Sequence, residues 1–271
     1  MLGFLFGSKD KQLVKAAEAG DLGTVRTLLG KGASAKATHG GMSALVMAVG
    51  AGHVEIVRAL LDAGADPNQH GTDETDALSV TLMSGAEGLT ALLLERGANA
   101  RAVSDEGHSA LHLAAGQGTR GQVELLVGRG AQVDERTTDG RTPLFEACHW
   151  GKFETAEFLL QRGADANARG RDQVTPLAAL VSAMRMWAMR DAMPNEMRGL
   201  SGLAAVAQGI RAASEGASSV PAGMLEVMEQ LVARGGDPCA RDARGRSVLE
   251  RAREAGAPSQ VLDKLVALGA R

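Results

Sequence analysis

A chain of 271 residues with a net charge of −3 and a pI near 6.1 has no basic run to neutralise phosphates, which argues against a dedicated binder of nucleic acid or of acidic membrane. Aromatic residues make up 3% and tyrosine is absent, so the core must be built mostly from Leu, Val and Ala, with little material for stacking bases. The two cysteines, Cys148 and Cys239, lie far apart. They match neither a zinc-ligand spacing nor a disulfide framework, and read as reduced thiols of a cytoplasmic protein.

The first residues, Met1-Leu-Gly-Phe-Leu-Phe6, are apolar. They are too short for a membrane span and lack the charged start and cleavage site of a signal peptide, so residues 1–12 are expected to be an extension whose Phe4 and Phe6 pack over the first helix pair. That pair is predicted over Leu13–Gly20 and Leu22–Gly30. Its polar residues Lys11, Lys15, Glu18 and Asp21 suit a terminal cap spanning 13–41.

From Ser43 onward one unit recurs every 33 residues, opening at Ser43-Ala-Leu, Asp76-Ala-Leu, Ser109-Ala-Leu, Thr142-Pro-Leu and Thr175-Pro-Leu. A fixed period in this range signals stacked repeats, each burying its apolar face against its neighbours. The third position is always leucine (Leu45, Leu78, Leu111, Leu144, Leu177), and three places on a mostly small residue follows (Ala48, Thr81, Ala114, Ala147, Leu180). This is i, i+3 spacing on a short helix that a neighbour must approach closely. Gly52, Gly85, Gly118 and Gly151 are expected to close that helix. A second helix carries i, i+3, i+4 faces such as Val57/Leu60/Leu61 and Ala156/Leu159/Leu160, ended by Gly64, Gly97, Gly130 and Gly163. Four such repeats fill 42–174. In the one opening at Ser109, the fourth unit counted from the cap, Gly121 and Gln122 stand where the second helix should be apolar, so that helix is expected to start late or fray.

The repeat opening at Thr175 departs from the pattern. Its helix-ending glycine is replaced by Met184, and the turn signal returns only at Gly235-Gly-Asp-Pro, about 39 residues late. Residues of about 185–223 therefore read as an insertion between the two helices of a sixth repeat spanning 175–246. Without a glycine stop the inner helix is expected to run on through Met184, Arg185, Met186 and Trp187 as far as Met193, where Pro194 ends it. Met186, Met189 and Met193 form a stripe on it that meets a second inserted helix around Leu203, Val206 and Ile210, or else a partner. The last pair, 247–271, carries Glu250, Arg251, Arg253 and Glu254 and reads as the C-terminal cap.

Ser109-Ala-Leu-His112, Thr142-Pro-Leu-Phe145, Gly52-His53, Gly64-Ala-Asp-Pro-Asn68 and Gly163-Ala-Asp-Ala-Asn167 resemble the ankyrin repeat, from about Leu13 to the C-terminus. Asp76-Ala-Leu-Ser79 with Gly97-Ala-Asn-Ala100 is the weakest copy, and the second half of that repeat is expected to be irregular. The resemblance implies an all-α ankyrin-repeat solenoid, one domain of about seven helix-pair units including caps, with a helical insertion in the sixth. It specifies no reaction, metal or cofactor. His112 and His53 hold family positions where the ring ties backbone together. No nucleophile motif, metal-binding histidine pair or phosphate loop is present, so no enzyme is expected.

The resemblance implies instead a partner protein on the concave face, formed by the connecting tips and the two variable residues before the first glycine. Those pairs are Gly50-Ala51, Met83-Ser84, Gly116-Gln117 and His149-Trp150. Tryptophan is the residue type most enriched at binding hot spots, which points to the junction of the fifth and sixth repeats. Candidate contacts there are Arg141, His149, Trp150, Arg171, Met184, Arg185, Met186 and Trp187; cover of Trp150 by the 184–187 stretch is the alternative. The Ala, Gly and Arg richness fits a bacterial source. The finest expectation is a cytoplasmic monomer acting as an inhibitor or immunity protein of a bacterial enzyme or toxin, with a scaffold bridging two proteins as the alternative.

Overall fold

In the computed structural model, residues 3–71, 75–184 and 220–271 are described, with side chains from residue 9 onward. They form two compact units: residues 1–104 with 109–132, and residues 105–108 with 133–271. In the first unit the inner helices are α1 (Gly3–Ala19), α3 (Ala44–Gly50), α5 (Ala77–Ser84) and α7 (Ala110–Gly116). The outer ones are α2 (Leu22–Gly30), α4 (Val54–Asp62), α6 (Glu87–Glu95) and α8 (Arg120–Gly128). Each inner helix packs on its own outer partner and on the next inner helix. In the second unit the inner row is α9 (Pro143–Trp150), α11 (Pro176–Ser182) and α13 (Val248–Glu254), and the outer row is α10 (Phe153–Gln161), α12 (Met224–Ala233) and α14 (Ser259–Ala267). A two-residue ladder, β1 (Thr38–His39) with β2 (Met42–Ser43), is the only sheet among the described residues.

The recurring opening residue starts each inner helix for a chemical reason. Ser43, Asp76, Ser109, Thr142, Thr175 and Ser247 are all N-caps whose side-chain oxygens accept the amide hydrogen three residues on. Each satisfies one of the amides that a helix start leaves without a partner. Pro143 and Pro176 follow at the first turn, where a missing amide hydrogen costs nothing. The third-position leucines Leu45, Leu78, Leu111, Leu144 and Leu177 are all buried. The outer helices end two residues before a left-handed glycine, as at Gly163 (φ 90°) and Gly235 (φ 91°).

Side chains then tie neighbours together in columns. Asn68 donates to the Gly97 carbonyl and accepts from the Asn99 amide, and Asn167 makes the same pair with Gly235 and Asp237. Arg129 and Arg234 each donate to a carbonyl at the C-terminal end of the preceding outer helix, Leu94 and Leu160, where positive charge is favoured. His53 spans from α4 to the Glu18 carbonyl, as its family position implies. The His112 ring accepts from the amide of Ser109 in its own repeat, completing a capping box.

Four expectations need correction. Helix α1 reaches back to Gly3, so the segment read as an extension continues the first helix; the Phe4 and Phe6 side chains lie outside the described residues. Helix α8 starts on time at Arg120, because Thr119 and Gln122 form a capping box. The third repeat is regular, since α6 runs its full nine residues. Thr81, Thr90 and Gln122 make a satisfied buried network in place of apolar contacts: the Gln122 amide donates to the Thr81 carbonyl (2.7 Å) and the Thr90 hydroxyl (2.9 Å). Helix α11 ends at Ser182 without a glycine. The Ser182 hydroxyl turns back onto the Ala178 carbonyl while Arg251 of α13 donates to it. Such back-bonding weakens a helix end. The inserted helices expected beyond residue 184 lie outside the described residues. Gly118 also differs from its counterparts: it has ordinary φ, and a Cβ there would stand 2.8 Å from the Ala114 carbonyl.

Two predictions follow from this packing. Gln122→Leu restores an apolar side chain to the column of Ile56 and Leu89 yet costs about 1 kcal/mol, because the Thr119 amide and the two threonines lose a partner; a raised urea midpoint would contradict it. Joining Ala183 to Met224 through a short glycine-containing turn costs about 2 kcal/mol, chiefly the buried Met184. Unfolding followed by circular dichroism stays cooperative, because Asn167 and Arg234 still hold α12 against α10. Loss of cooperativity would place the intervening residues in the core.

The C-terminal cap is fastened by a buried carboxylate. Asp242 accepts from the Arg251 guanidinium (2.6 Å), the Arg246 guanidinium (2.9 Å) and the amides of Arg244 and Arg246. Burial alone would raise its pKa, but these hydrogen bonds outweigh that and hold it well below the usual carboxylate range.

Candidate functional site

Four consecutive tips of the second unit are joined by backbone hydrogen bonds. The Thr138 amide donates to Glu106, Arg171 to Asp139 and Ala243 to Asp172. The approach is close: a Cβ on Gly140 would stand 2.9 Å from the Arg169 carbonyl, so this left-handed residue (φ 77°) has no room for a side chain. The same stacking sets Arg141 beside the next tip, its Cγ 3.7 Å from where a Cβ on Gly170 would lie. Arg171 sits on that tip, largely exposed, and pairs with Asp139 at 3.3 Å.

Helix α9 rises from the second of these tips. Residues four apart share a helix face, which sorts its side chains into two rows. One row is Phe145 and His149, whose rings stack with centroids 6.2 Å apart; Arg141 lies over the Phe145 ring at 5.7 Å. The other is Glu146 and Trp150, with the indole N–H donating to Glu146 Oε2 at 3.2 Å. Glu146 Oε1 faces the Arg141 guanidinium at 3.5 Å. His149 meets Trp150 edge to face at 5.4 Å. The five side chains thus form one cluster, and Trp150 stands at its outer edge with 39% of its surface exposed.

The electrostatics follow from burial. Glu146 is only 7% exposed, so its charge is held by Arg141 and the indole rather than by water. Burial lowers the His149 pKa; Glu146 pulls it back up and the Arg141 charge pushes it further down. The net direction is down, so the ring is neutral at pH 7. Cys148, on the opposite side of the helix, is fully buried, which pushes its thiol pKa up and leaves it inert.

Of the residues singled out in the sequence, Arg141, His149 and Trp150 are therefore neighbours, and Arg171 sits on the adjoining tip, paired with Asp139. Met184 is a correction: it is buried and gives a partner little to touch. Arg185, Met186 and Trp187 lie outside the described residues. Sequence reasoning missed Phe145 and Glu146; their i, i+4 spacing to His149 and Trp150 was the available signal. Among the described residues no group of three or more His, Cys, Asp or Glu side chains is placed to hold a metal ion, and no helix is long and apolar enough to cross a membrane.

Comparison with known proteins agrees with this architecture. A family model of ankyrin repeats, in three copies, matches residues 7–71 and 78–170. The fold is similar to the crystal structure of the human ASB11 ankyrin repeat domain, with a TM-score of 0.70 and 25% sequence identity over 96% of this chain and 98% of that one. No curated protein sequence matches. Ankyrin repeats generally mediate protein–protein interaction and are typically non-enzymatic binding modules. The N-capped helix pairs, the left-handed glycines after each outer helix and the matched repeats lead to one conclusion: the chain belongs to the ankyrin repeat family.

Proposed function

We propose that this chain is a non-enzymatic binding protein that seats a partner protein on the surface of α9 and the tips beside it, with Trp150 at the centre and Arg141, His149 and Arg171 around it. The observation that carries this reading is the exposed Trp150, anchored by its Glu146 hydrogen bond on a rigid helix. Large apolar side chains with a polar handle dominate binding energy when a partner desolvates them. The finer form of the proposal is a cytoplasmic monomer that inhibits, or confers immunity to, an enzyme or toxin through one tight complex. A scaffold would need two separable sites.

Affinity capture from the native host tests it, with wild type, Trp150→Ala and a control Val266→Ala, an exposed residue on α14, as parallel baits. A true partner is recovered by wild type and by the control but lost with Trp150→Ala. If every captured protein is retained equally by all three baits, Trp150 is not the binding centre.

A further inference from the structure

In the repeats that open at Ser43, Asp76, Ser109 and Thr175 the residue in the Glu146 position is apolar, Met47, Val80, Leu113 and Ala179, while the C-terminal cap has Arg251 there. The fifth repeat alone places a carboxylate there, and buries it. A desolvated carboxylate is costly, and a buried ion pair is often no more stabilising than apolar residues of the same volume. Stability therefore gives no reason for Glu146. Its two side-chain partners do: they are Trp150 and Arg141, the exposed aromatic and the tip arginine of the candidate surface.

We propose that Glu146 is a positioning residue, whose role is to fix the Trp150 indole and the Arg141 guanidinium in one arrangement before a partner arrives. Both carboxylate oxygens are used, one for each group. An indole free to rotate would lose side-chain entropy on binding, and fixing it beforehand removes that cost. The arrangement also sets what Trp150 offers. Its single donor is spent inside the chain, so a partner meets ring surface and edge rather than an N–H, and the group that fits against it is an apolar side chain. This rests on the reading of Trp150 as the binding centre, but its test does not require a partner.

The experiment follows the indole N–H signal of Trp150 by NMR in the free, full-length protein, assigned as the signal that disappears in Trp150→Phe. Glu146→Leu puts back the kind of residue found in those four repeats, and Glu146→Gln keeps an acceptor without the charge. With Glu146→Leu, the thermal melting point is expected to stay level or rise while solvent exchange of the indole hydrogen speeds up about three- to tenfold, the equivalent of one net hydrogen bond. Glu146→Gln is expected to retain most of the wild-type protection. A lower melting point with unchanged indole exchange in Glu146→Leu would overturn the proposal, leaving Glu146 a purely structural residue. A failed capture experiment with intact indole positioning would instead count against the Trp150 reading alone.

Discussion

Leu159→Ala is expected to lower the unfolding free energy by about 2–5 kcal/mol. Leu159 and its neighbour Leu160 are essentially without solvent exposure. They lie on α10, which packs against α9 on one side and α12 on another. In stacked repeats each element contacts only its neighbours, so a cavity at one interface weakens everything that interface couples. The surrounding helices relax only partly, because the Asn167 and Arg234 side chains, donating to the Gly235 and Leu160 carbonyls, hold α10 and α12 in register. Urea unfolding reads the effect. The same truncation at exposed Val266 should stay within about 0.5 kcal/mol, and an unchanged midpoint for Leu159→Ala would contradict the repeat register itself.

Trp150→Ala is expected to weaken partner binding by about 2 kcal/mol or more, the range of a hot-spot residue, or roughly thirtyfold in Kd. The loss should fall mainly on the dissociation rate, as for most interface truncations. Stability should change by less, because the indole is outside the buried columns and its edge contact with His149 is at the surface. Arg141→Ala removes a half-exposed guanidinium from the rim. It should act on the association rate and on its dependence on salt. Binding kinetics at two ionic strengths separate the two variants, and a pure stability loss for Trp150→Ala with wild-type kinetics would rule out the hot spot.

The repeat architecture was legible because it rests on residues that recur: a leucine in one column, a small residue three places on, a glycine after each helix. What stayed hidden rests on residues that occur once. Gln122 has the composition of a broken helix, but its partner three residues back is Thr119, and the pair caps the helix it seemed to interrupt. The Thr81, Thr90 and Gln122 network draws on three helices, so no local window contains it. The end of α11 at Ser182 depends on Arg251, 69 residues away. Met184 stood out as the missing glycine and turned out to be core. In the candidate site, Arg141, His149 and Trp150 were visible from their family positions. Glu146 was not singled out from the sequence, although the columns, with Met47, Val80 and Leu113 in the same place, held the sign that it is unusual.

The most direct measurement of where the partner sits is amide hydrogen exchange on the free chain and on the complex. Seating on α9 and its tips predicts that slowed exchange concentrates in residues 137–150 and 169–173, with α12 and α14 unchanged. Protection confined to the outer helices α10, α12 and α14, with 137–150 exchanging as in the free chain, would contradict it.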